Sequence, residues 1–384
     1  MRAGVRSAPA DAQPGIDTHT TDAHRRAWPG IWPALLVVAA LLGGCASAPL
    51  IPYSADTPPL VVVPAAQAGV QDGRSRFREI FCAVLEARKD TLPDYRPCDD
   101  ALTRLGTEPA ATGRPVNLAP SRRRLVAALV PGFGYDCFES WLEAPGAAEA
   151  HLRRQGYDLS LIHVEGLSSA ARNARLIRDA LMELPAEPGA PRIVLVGYSK
   201  GSNDVLEALV AYPELRPRVA AVVSVAGTIG GSPLANDAEQ DMAELLVNVP
   251  GARCTPGDRG AVASLRPDTR RAWLAANPLP KDLRYYSVVT FPQPERISSI
   301  LKLTYDKLSR VDSRNDSQAI FYDQVIPGST LVAYLNADHW AVAVPIARSH
   351  ATIAALFVTQ NAYPREALAE AVLRFVEEDF EAPR

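Results

Sequence analysis

The chain has 384 residues, of which 47% are hydrophobic and 22% are charged, the composition of a globular protein that can bury one sizeable core. The 40 Lys and Arg residues against 43 Asp and Glu residues give a net charge of −3. This near balance gives no support to a nucleic-acid role, which usually shows a basic face. The five cysteines include no C-x-x-C pair, which argues against a zinc ribbon or a thioredoxin-type site.

An apolar run at residues 31–42 follows two arginines and precedes a cysteine. The run is too short to span a bilayer comfortably, and its layout is that of a signal peptide. Its end, Leu42-Gly43-Gly44-Cys45, resembles the lipobox of bacterial lipoproteins, in which the cysteine is acylated and the chain is cut before it. We expect residues 1–44 to be a lipoprotein signal peptide and Cys45 to anchor the protein in the bacterial cell envelope. The outer membrane is favoured because Ala46 rather than Asp follows Cys45. A plain signal peptide or a short anchor, with an incidental cysteine, is the alternative.

Four cysteines then remain, and an even number in an exported chain indicates two disulfides with three possible pairings. Cys82 lies in a helical segment and Cys98 follows a nearby turn containing Pro, so these two form the natural local pair. Cys137 and Cys254 would form the second bond. Separate buried thiols at these last two positions are the alternative.

The segment after the anchor has two parts. Residues 45–72 are rich in Pro and Ala and are expected to form a lipid-anchored tether. From Ser75 onward, apolar residues recur at helical spacing and predict an amphipathic helix, followed by a short helix at 99–105. We interpret residues 73–121 as a helical N-terminal extension, to which the sequence assigns no chemistry.

Strands and helices alternate beyond residue 122. Apolar runs predict strands at 125–130, 159–164, 193–196, 219–225, 285–291 and 330–335. Helical patterns fill the connections at 149–156, 169–184 and 202–212 and end the chain at 365–378. This alternation predicts an α/β fold with a mostly parallel central sheet covered by helices on both faces. The stretch at about 228–283 is too long for a simple connection and is expected to be a cap insertion.

A nucleophile motif follows the third of these strands. Residues 197–201 read G-Y-S-K-G, and the two glycines allow a strand and a helix to meet at a strained turn that exposes Ser199. A serine hydroxyl needs a general base. His339 follows the last strand, where a loop reaches the carboxyl edge of the sheet, and His350 is second. His151 is expected on a surface helix, and His163 within a strand.

The acid that orients the histidine should lie between the nucleophile and His339 in the chain. Asp316 is preferred because it belongs to a turn-forming stretch, and Asp312 is second. Asp306 falls in a helix-like run. Asp323 is a further candidate. Asp338 adjoins His339, and neighbouring loop residues usually point apart.

The oxyanion of an acyl transfer needs two backbone N–H donors. We expect one from Lys200, directly after the nucleophile, and one from Phe133 in the P-G-F-G loop that follows the first strand. A phosphate cradle is the alternative for this loop, but the Lys-Ser/Thr of a P-loop is missing.

With PGFG, GYSKG, the Asn315-Asp316-Ser317 turn and Asp338-His339-Trp340 in this order, residues 122–384 resemble the α/β-hydrolase family, on its lipase and esterase side. The resemblance implies an α/β-hydrolase fold and a serine hydrolase that cleaves a small-molecule or lipid carboxylic ester through an acyl-enzyme. It implies no cofactor and no metal. Pro131-Gly132 stands where family lipases usually carry His-Gly, and Lys200 is seldom found after the nucleophile.

Three activities on the same residues stay open beside ester hydrolysis: those of a thioesterase, an amidase and an acyltransferase. A non-catalytic binding lipoprotein that keeps the hydrolase scaffold is the alternative of a different class.

Overall fold

The computed structural model describes residues 69–123, 125–139, 146–184, 192–237 and 253–381. The expected signal peptide, Cys45 and all but the end of the expected tether lie outside these residues. The strands are β1 (Gln71–Asp72), β2 (Leu125–Val130), β3 (Asp158–Leu161), β4 (Arg192–Tyr198), β5 (Val219–Val225), β6 (Arg284–Thr290) and β7 (Thr330–Leu335). The helices of the described ranges are α1 (Arg74–Arg88), α2 (Cys98–Ala101), α3 (Tyr135–Phe138), α4 (Gly146–Arg154), α5 (Ala170–Glu183), α6 (Lys200–Ala211), α7 (Leu234–Asp237), α8 (Ala261–Ser264), α9 (Pro267–Ala276), α10 (Lys302–Ser309), α11 (Ile346–Ser349), α12 (Ala351–Leu356) and α13 (Arg365–Glu381).

The seven strands form one sheet in the order β1-β7-β6-β5-β4-β2-β3, and each neighbouring pair is parallel. The sheet is therefore entirely parallel in the described residues, and the α/β-hydrolase fold class is confirmed. The strand order changes direction around β2, which has β3 on one side and β4 on the other. In open parallel sheets, ligands bind at the carboxyl ends of the strands beside such a switch point.

Sequence pattern predicted the strands more accurately than the short helices. The bounds of β2, β5 and β7 are those predicted, whereas β3 ends at Leu161. The predicted helix at 99–105 is limited to α2, because Leu102 instead makes an isolated antiparallel bridge to Leu335. The sequence missed β1, since its two exposed polar residues form no apolar run.

The N-terminal extension is part of the main core. The apolar face of α1 packs with α13 on one face of the sheet, where the rings of Phe77 and Phe375 lie 6.2 Å apart. Arg76 adds a salt bridge of 2.6 Å to Glu378. On the opposite face, α5 and α6 bury their own apolar cluster. The sheet is thus covered on both sides, as the sequence predicted.

The segment expected to form a cap divides into two structural roles. Its described residues from Arg253 to α8 lie over the loops that follow β2 and β3, with the amide of Ala261 donating to the carbonyl of Leu167 at 3.2 Å. By contrast, Trp273 and Leu274 of α9 pack against the cluster formed by α5 and α6. Among the described residues, none of the helices combines the length and apolar character needed to cross a membrane.

Candidate active site

Ser199 occupies a strained turn between β4 and α6, with φ 54° and ψ −127°, a conformation that non-glycine residues rarely adopt. Two close approaches explain the glycines around it. A Cβ atom on Gly197 would lie 2.4 Å from the Cα of Ser202, and one on Gly201 would lie 2.2 Å from the carbonyl oxygen of Val130. Any side chain at either position would push the strand and helix apart. The turn therefore holds Ser199 at the carboxyl edge of the sheet.

A chain of hydrogen bonds joins three residues from separate loops. Nε2 of His339 lies 2.8 Å from Oγ of Ser199, and Nδ1 of His339 lies 2.7 Å from Oδ2 of Asp316. The amide of His339 also donates to the carbonyl of Asp316 at 3.0 Å. All three side chains are buried. This is the relation of a nucleophile, a general base and the acid that orients the base.

Three other sequence candidates for the acid have different surroundings. Asp312 forms a salt bridge of 2.6 Å with Arg314. Asp306 is exposed on α10. The carboxyl group of Asp323 lies against Gly230: a Cβ atom added to Gly230 would be only 2.3 Å from Oδ1 of Asp323. Burial raises the pKa of Asp323 to about 7.

Asp338 is a buried carboxylate beside His339 in sequence, but it faces another way. Its Oδ1 accepts from the amides of Trp340 at 3.1 Å and Ala341 at 2.8 Å. Its Oδ2 accepts from the amide of Ser298 at 2.9 Å. Burial raises the pKa of Asp338 despite these hydrogen bonds. The side chain thus fastens the His339 loop to the segment after β6.

Sequence reasoning missed two residues that hold Asp316. The hydroxyl of Thr290 donates to Oδ2 of Asp316 at 2.5 Å, and Nε2 of Gln324 lies 3.3 Å from the same oxygen. The two residues are also bonded to each other, since the amide of Thr290 donates to Oε1 of Gln324 at 2.7 Å. Thr290 is the last residue of β6 at the carboxyl edge and lies within the strand predicted at 285–291, which is a signal that could have found it. Gln324 carries no comparable signal.

Tyr198, which the sequence analysis also missed, contacts both the backbone and the ring of His339. Its hydroxyl donates to the carbonyl of His339 at 2.7 Å, and the two rings are 5.2 Å apart. Burial raises the pKa of Tyr198 well above its usual value, so the phenol remains a donor at neutral pH. The backbone of the histidine loop is thereby fixed to β4.

The side chain of Lys200, the unusual lysine after Ser199, points into the protein interior. Nζ of Lys200 lies 2.8 and 2.9 Å from the two carboxylate oxygens of Asp204, which also accepts from Asn173 at 2.8 Å. Burial raises the pKa of Asp204, and the charge of Lys200 opposes that rise. The side chain forms a buried ion pair within α6, and Asn173 links that pair to α5. The Lys200 amide stays next to Ser199 at the start of α6.

The loop after β2 passes directly over Ser199. A Cβ on Gly132 would lie 2.7 Å from the Cβ of Ser199 and 3.2 Å from its Oγ, so only glycine fits this approach. Phe133, whose amide is the second expected oxyanion donor, is the next residue. Gly134 then turns the chain at φ 67° into α3. The structure thus brings the Phe133 and Lys200 segments to the same side chain, Ser199.

The two disulfides are Cys82–Cys98 and Cys137–Cys254, the pairing that the sequence favoured. The second bond belongs to a larger connection between the loop over Ser199 and the expected cap. Oδ2 of Asp136 accepts from the amide of Thr255 at 3.0 Å, and the carbonyl of Cys137 accepts from the amide of Arg253 at 2.9 Å.

The remaining described histidines lie away from the triad geometry. The expected surface position of His151 is wrong, because it is buried with Nε2 2.7 Å from Oε2 of Glu370. His163 lies beyond the end of β3 and is exposed, 3.8 Å from Glu139. His350 caps α11. The described ranges contain no group of three or more His, Cys, Asp or Glu residues arranged to hold a metal ion.

Solved structures similar to this chain include hydrolases of carboxylic esters. A metagenomic carboxyl esterase is 41% identical, with a TM-score of 0.78, and the match covers 89% of this chain and 99% of that one. A Bacillus licheniformis lipase is 20% identical with a TM-score of 0.46, covering 59% and 89%. A lipase from Pelosinus fermentans is 14% identical with a TM-score of 0.47, covering 68% and 100%. No protein-family model matches the chain.

Proposed function

The chain belongs to the esterase and lipase family of α/β-hydrolases and is a carboxylic ester hydrolase, and from this premise we propose that Ser199, His339 and Asp316 are its catalytic triad. The observation that carries the proposal is the pair of hydrogen bonds, 2.8 and 2.7 Å long, on the two ring nitrogens of His339. Nε2 can accept a proton from Ser199, while Nδ1 is hydrogen-bonded to the carboxylate of Asp316.

The reaction proceeds in two halves. Oγ of Ser199 attacks the acyl carbon as Nε2 of His339 takes its proton, and collapse of the tetrahedral intermediate breaks the ester C–O bond. His339 returns the proton to the leaving alcohol. Water then attacks the acyl-serine, with His339 again accepting and returning a proton, so that the acid leaves and Ser199 is regenerated. Asp316 stabilises the imidazolium in both halves.

The developing oxyanion is bound by the amides of Lys200 and Phe133. Lys200 is the first residue of α6, so its N–H points out of the helix end, where backbone donors have no partner within the helix. The close passage of Gly132 beside Oγ of Ser199 brings the segment that carries the Phe133 amide next to the same side chain. We assign Lys200 to this role through its backbone alone, since its charge is committed to Asp204.

The test is hydrolysis of a series of p-nitrophenyl acyl esters by purified protein. Ser199→Ala and His339→Gln should each lower kcat by at least about 10³. His350→Gln is the matched control, since it removes the second histidine candidate, and should retain activity. Full activity of Ser199→Ala would exclude the mechanism. Thioester and anilide substrates with the same acyl group separate ester hydrolysis from the thioesterase and amidase alternatives, and an added alcohol acceptor tests acyltransfer.

We further propose that Cys45 carries a lipid anchor and places the enzyme at the bacterial envelope, with the outer membrane favoured. The support is the Leu42-Gly43-Gly44-Cys45 tetrad after a short apolar run. Stable attachment would require more than one acyl chain on the cysteine. Radioactive palmitate should label the wild-type protein, and Cys45→Ala should abolish the label and leave the chain unprocessed. Continued labelling of Cys45→Ala would exclude this site.

A further inference from the structure

A cavity of about 190 Å³ lies between one face of the sheet and the helices α4 and α13. Its first wall consists of strand residues that point to the same face, because alternate side chains of a strand share a face. They are Ala127 and Leu129 of β2, Val196 and Tyr198 of β4, and Val225 of β5. Every side chain of this wall is apolar except the phenol of Tyr198, whose hydroxyl is already bonded to the carbonyl of His339.

The opposite wall is helical, and together the two walls show how deep the cavity is. Lining residues occur along α13 from Arg365 to Leu373, a distance of roughly 12 Å at the rise of an α-helix. Along β2 and its end they occur from Ala127 to Pro131, a distance of roughly 13 Å at the rise of a strand. The cavity is therefore a narrow slot that extends inward from the carboxyl edge of the sheet. We call it the α13 slot.

The outer end of the α13 slot is formed by the segments that carry the catalytic groups. Tyr198 directly precedes Ser199, and its ring lies 5.2 Å from that of His339. Pro131 lines the slot from the loop that passes over Ser199, and residues 342–344 line it from the loop after His339. An acyl group on Oγ of Ser199 would therefore have its chain at the entrance of the slot.

Three charged residues also line the α13 slot, namely Arg348, Arg365 and Glu366, and each is paired within the protein. Arg348 forms salt bridges of 2.6 Å with Asp94 and 2.5 Å with Glu366. Arg365 forms a salt bridge of 3.1 Å with Asp94. Two cations thus meet two anions, and a charged ligand group would lose its hydration for little return. The slot therefore favours an uncharged, apolar ligand.

We propose that the α13 slot holds the alkyl chain of the substrate's acyl group, so that the enzyme prefers esters of medium-chain fatty acids. An apolar cavity of about 150 Å³ accommodates benzene, so the volume of about 190 Å³ accommodates a chain of about six to eight carbons. Walls of the main fold rather than the expected cap then set the chain length. The inference rests on the proposed function and specifies its substrate class.

The two halves of the reaction assign the slot to the acyl group rather than to the alcohol. The acyl group stays on Ser199 through both halves, whereas the alcohol must leave after the first. An alcohol chain in a slot with a closed inner end would be trapped behind the acyl-serine. The acyl chain has no such obstacle, since hydrolysis frees it at the entrance.

Chain-length selectivity on p-nitrophenyl esters tests the slot. In wild type, kcat/KM should rise from butanoate to octanoate by up to about fourfold per added methylene, and stop rising by decanoate. Ala369→Leu narrows the α13 wall and should lower the ratio of kcat/KM for octanoate to that for butanoate by at least about tenfold. Ala171→Leu, exposed on α5, is the matched control and should leave the ratio unchanged. A wild-type ratio near one, or a ratio that Ala369→Leu does not change, would overturn the proposal.

A variant at the inner end should act in the opposite direction. Leu373 is the lining residue of α13 farthest from Arg365, so Leu373→Ala should lengthen the slot and move the preferred ester from octanoate toward decanoate. Because each preference is a ratio within one protein, a partial loss of folded enzyme does not affect it. Esters with a fixed butanoyl group and alcohols of increasing length provide the counter-test. A preference for long alcohols that Ala369→Leu abolishes would assign the slot to the alcohol and contradict the proposal.

A binding measurement on Ser199→Ala separates this inference from the proposed function. Titration calorimetry with octanoate and butanoate should give a Kd at least about tenfold lower for octanoate. Adding Ala369→Leu should remove most of this difference, and adding Ala171→Leu should leave it. Equal affinities for the two acids would contradict the slot. Failure of wild type to hydrolyse any of the esters, together with the expected binding, would instead contradict the proposed function and leave the slot as a site for a medium-chain fatty acid.

Discussion

Asp316 and Asp338 both lie next to His339 and form the same local hydrogen-bonded turn, yet their carboxylates face different partners. Both are fully buried, and in each Oδ1 accepts the amides of the residues two and three positions later. The difference lies in Oδ2. In Asp316 it faces Nδ1 of His339 at 2.7 Å, whereas in Asp338 it faces the amide of Ser298 at 2.9 Å.

The comparison shows that the local turn at an Asp and the direction of its free carboxylate oxygen are determined by different parts of the chain. An Asp that bonds to amides just after it forms the same local turn wherever it occurs. The direction of the free oxygen is decided by the packing of distant segments, here by a loop 23 residues away from His339. Adjacency in sequence therefore says little about which carboxylate serves the histidine, and we expect the two residues to respond differently to the same substitution.

The largest expected effect is on kcat. Asp316→Asn should lower kcat by about 10⁴, because the amide can neither stabilise the imidazolium nor hold the correct tautomer. Asp338→Asn should change kcat less than about tenfold but lower the free energy of unfolding by about 1–3 kcal/mol, since an amide donor would replace the acceptor that faces Ser298. Steady-state kinetics and denaturant unfolding of both variants measure the contrast. A mild Asp316→Asn with a crippling Asp312→Asn would show that the acid is misassigned.

Thr290 provides the next test, because its hydroxyl donates to the same oxygen of Asp316 that meets His339. Thr290→Val keeps the shape and removes a hydrogen bond to a charged acceptor, which is worth about 1.5–3 kcal/mol. We expect kcat to fall about 10- to 100-fold and the pH–rate profile to shift, while Thr290→Ser restores both. A loss of stability with an unchanged pH profile would mean that Thr290 serves the fold alone.

The two disulfides offer a similar contrast. We expect Cys137–Cys254 to position the active-site loop and Cys82–Cys98 to stabilise the fold. Cys137→Ser and Cys254→Ser should each lower kcat severalfold with a small change in Tm, because they loosen the loop that carries the Phe133 amide. The double variant should be no worse than either single one. Cys82→Ser with Cys98→Ser should lower Tm and leave kcat nearly intact. Kinetics and thermal unfolding under non-reducing conditions separate these results, and the reverse pattern would contradict them.

The smallest expected effect concerns Asp323, whose pKa burial raises from 3.8 to about 7. Since the folded state holds this proton more tightly than the unfolded state, the free energy of unfolding decreases as pH rises from about 4 to 7. Asp323→Asn removes that cost, so Tm should rise by a few degrees at pH 8 and stay unchanged near pH 4. Thermal unfolding across this pH range checks the sign. A variant that is less stable than wild type at pH 8 would show that the carboxylate is stabilising there.

The sequence predicted best those parts of the molecule that depend on local pattern. Apolar runs located the central strands, and the glycines of the 197–201 motif identified Ser199, because steric constraints act over a few residues. The partners of Asp316 could not be predicted in this way. Gln324 reaches Asp316 from a short 3-10 helix, Phe321–Gln324, and only the folded chain brings it beside Thr290. The burial of His151 against Glu370 depended likewise on the docking of α4 against α13.

The central claim is that Ser199 is a nucleophile activated by His339, and covalent labelling tests it most directly. A fluorophosphonate transfers its phosphonyl group to an activated serine and then stays bound, so intact-mass measurement and peptide mapping report the modified residue. The account predicts one adduct per chain at Ser199, a strongly slowed reaction in His339→Gln, and no adduct in Ser199→Ala. A folded wild-type protein that ignores the probe, or an undiminished adduct in Ser199→Ala, would contradict the account.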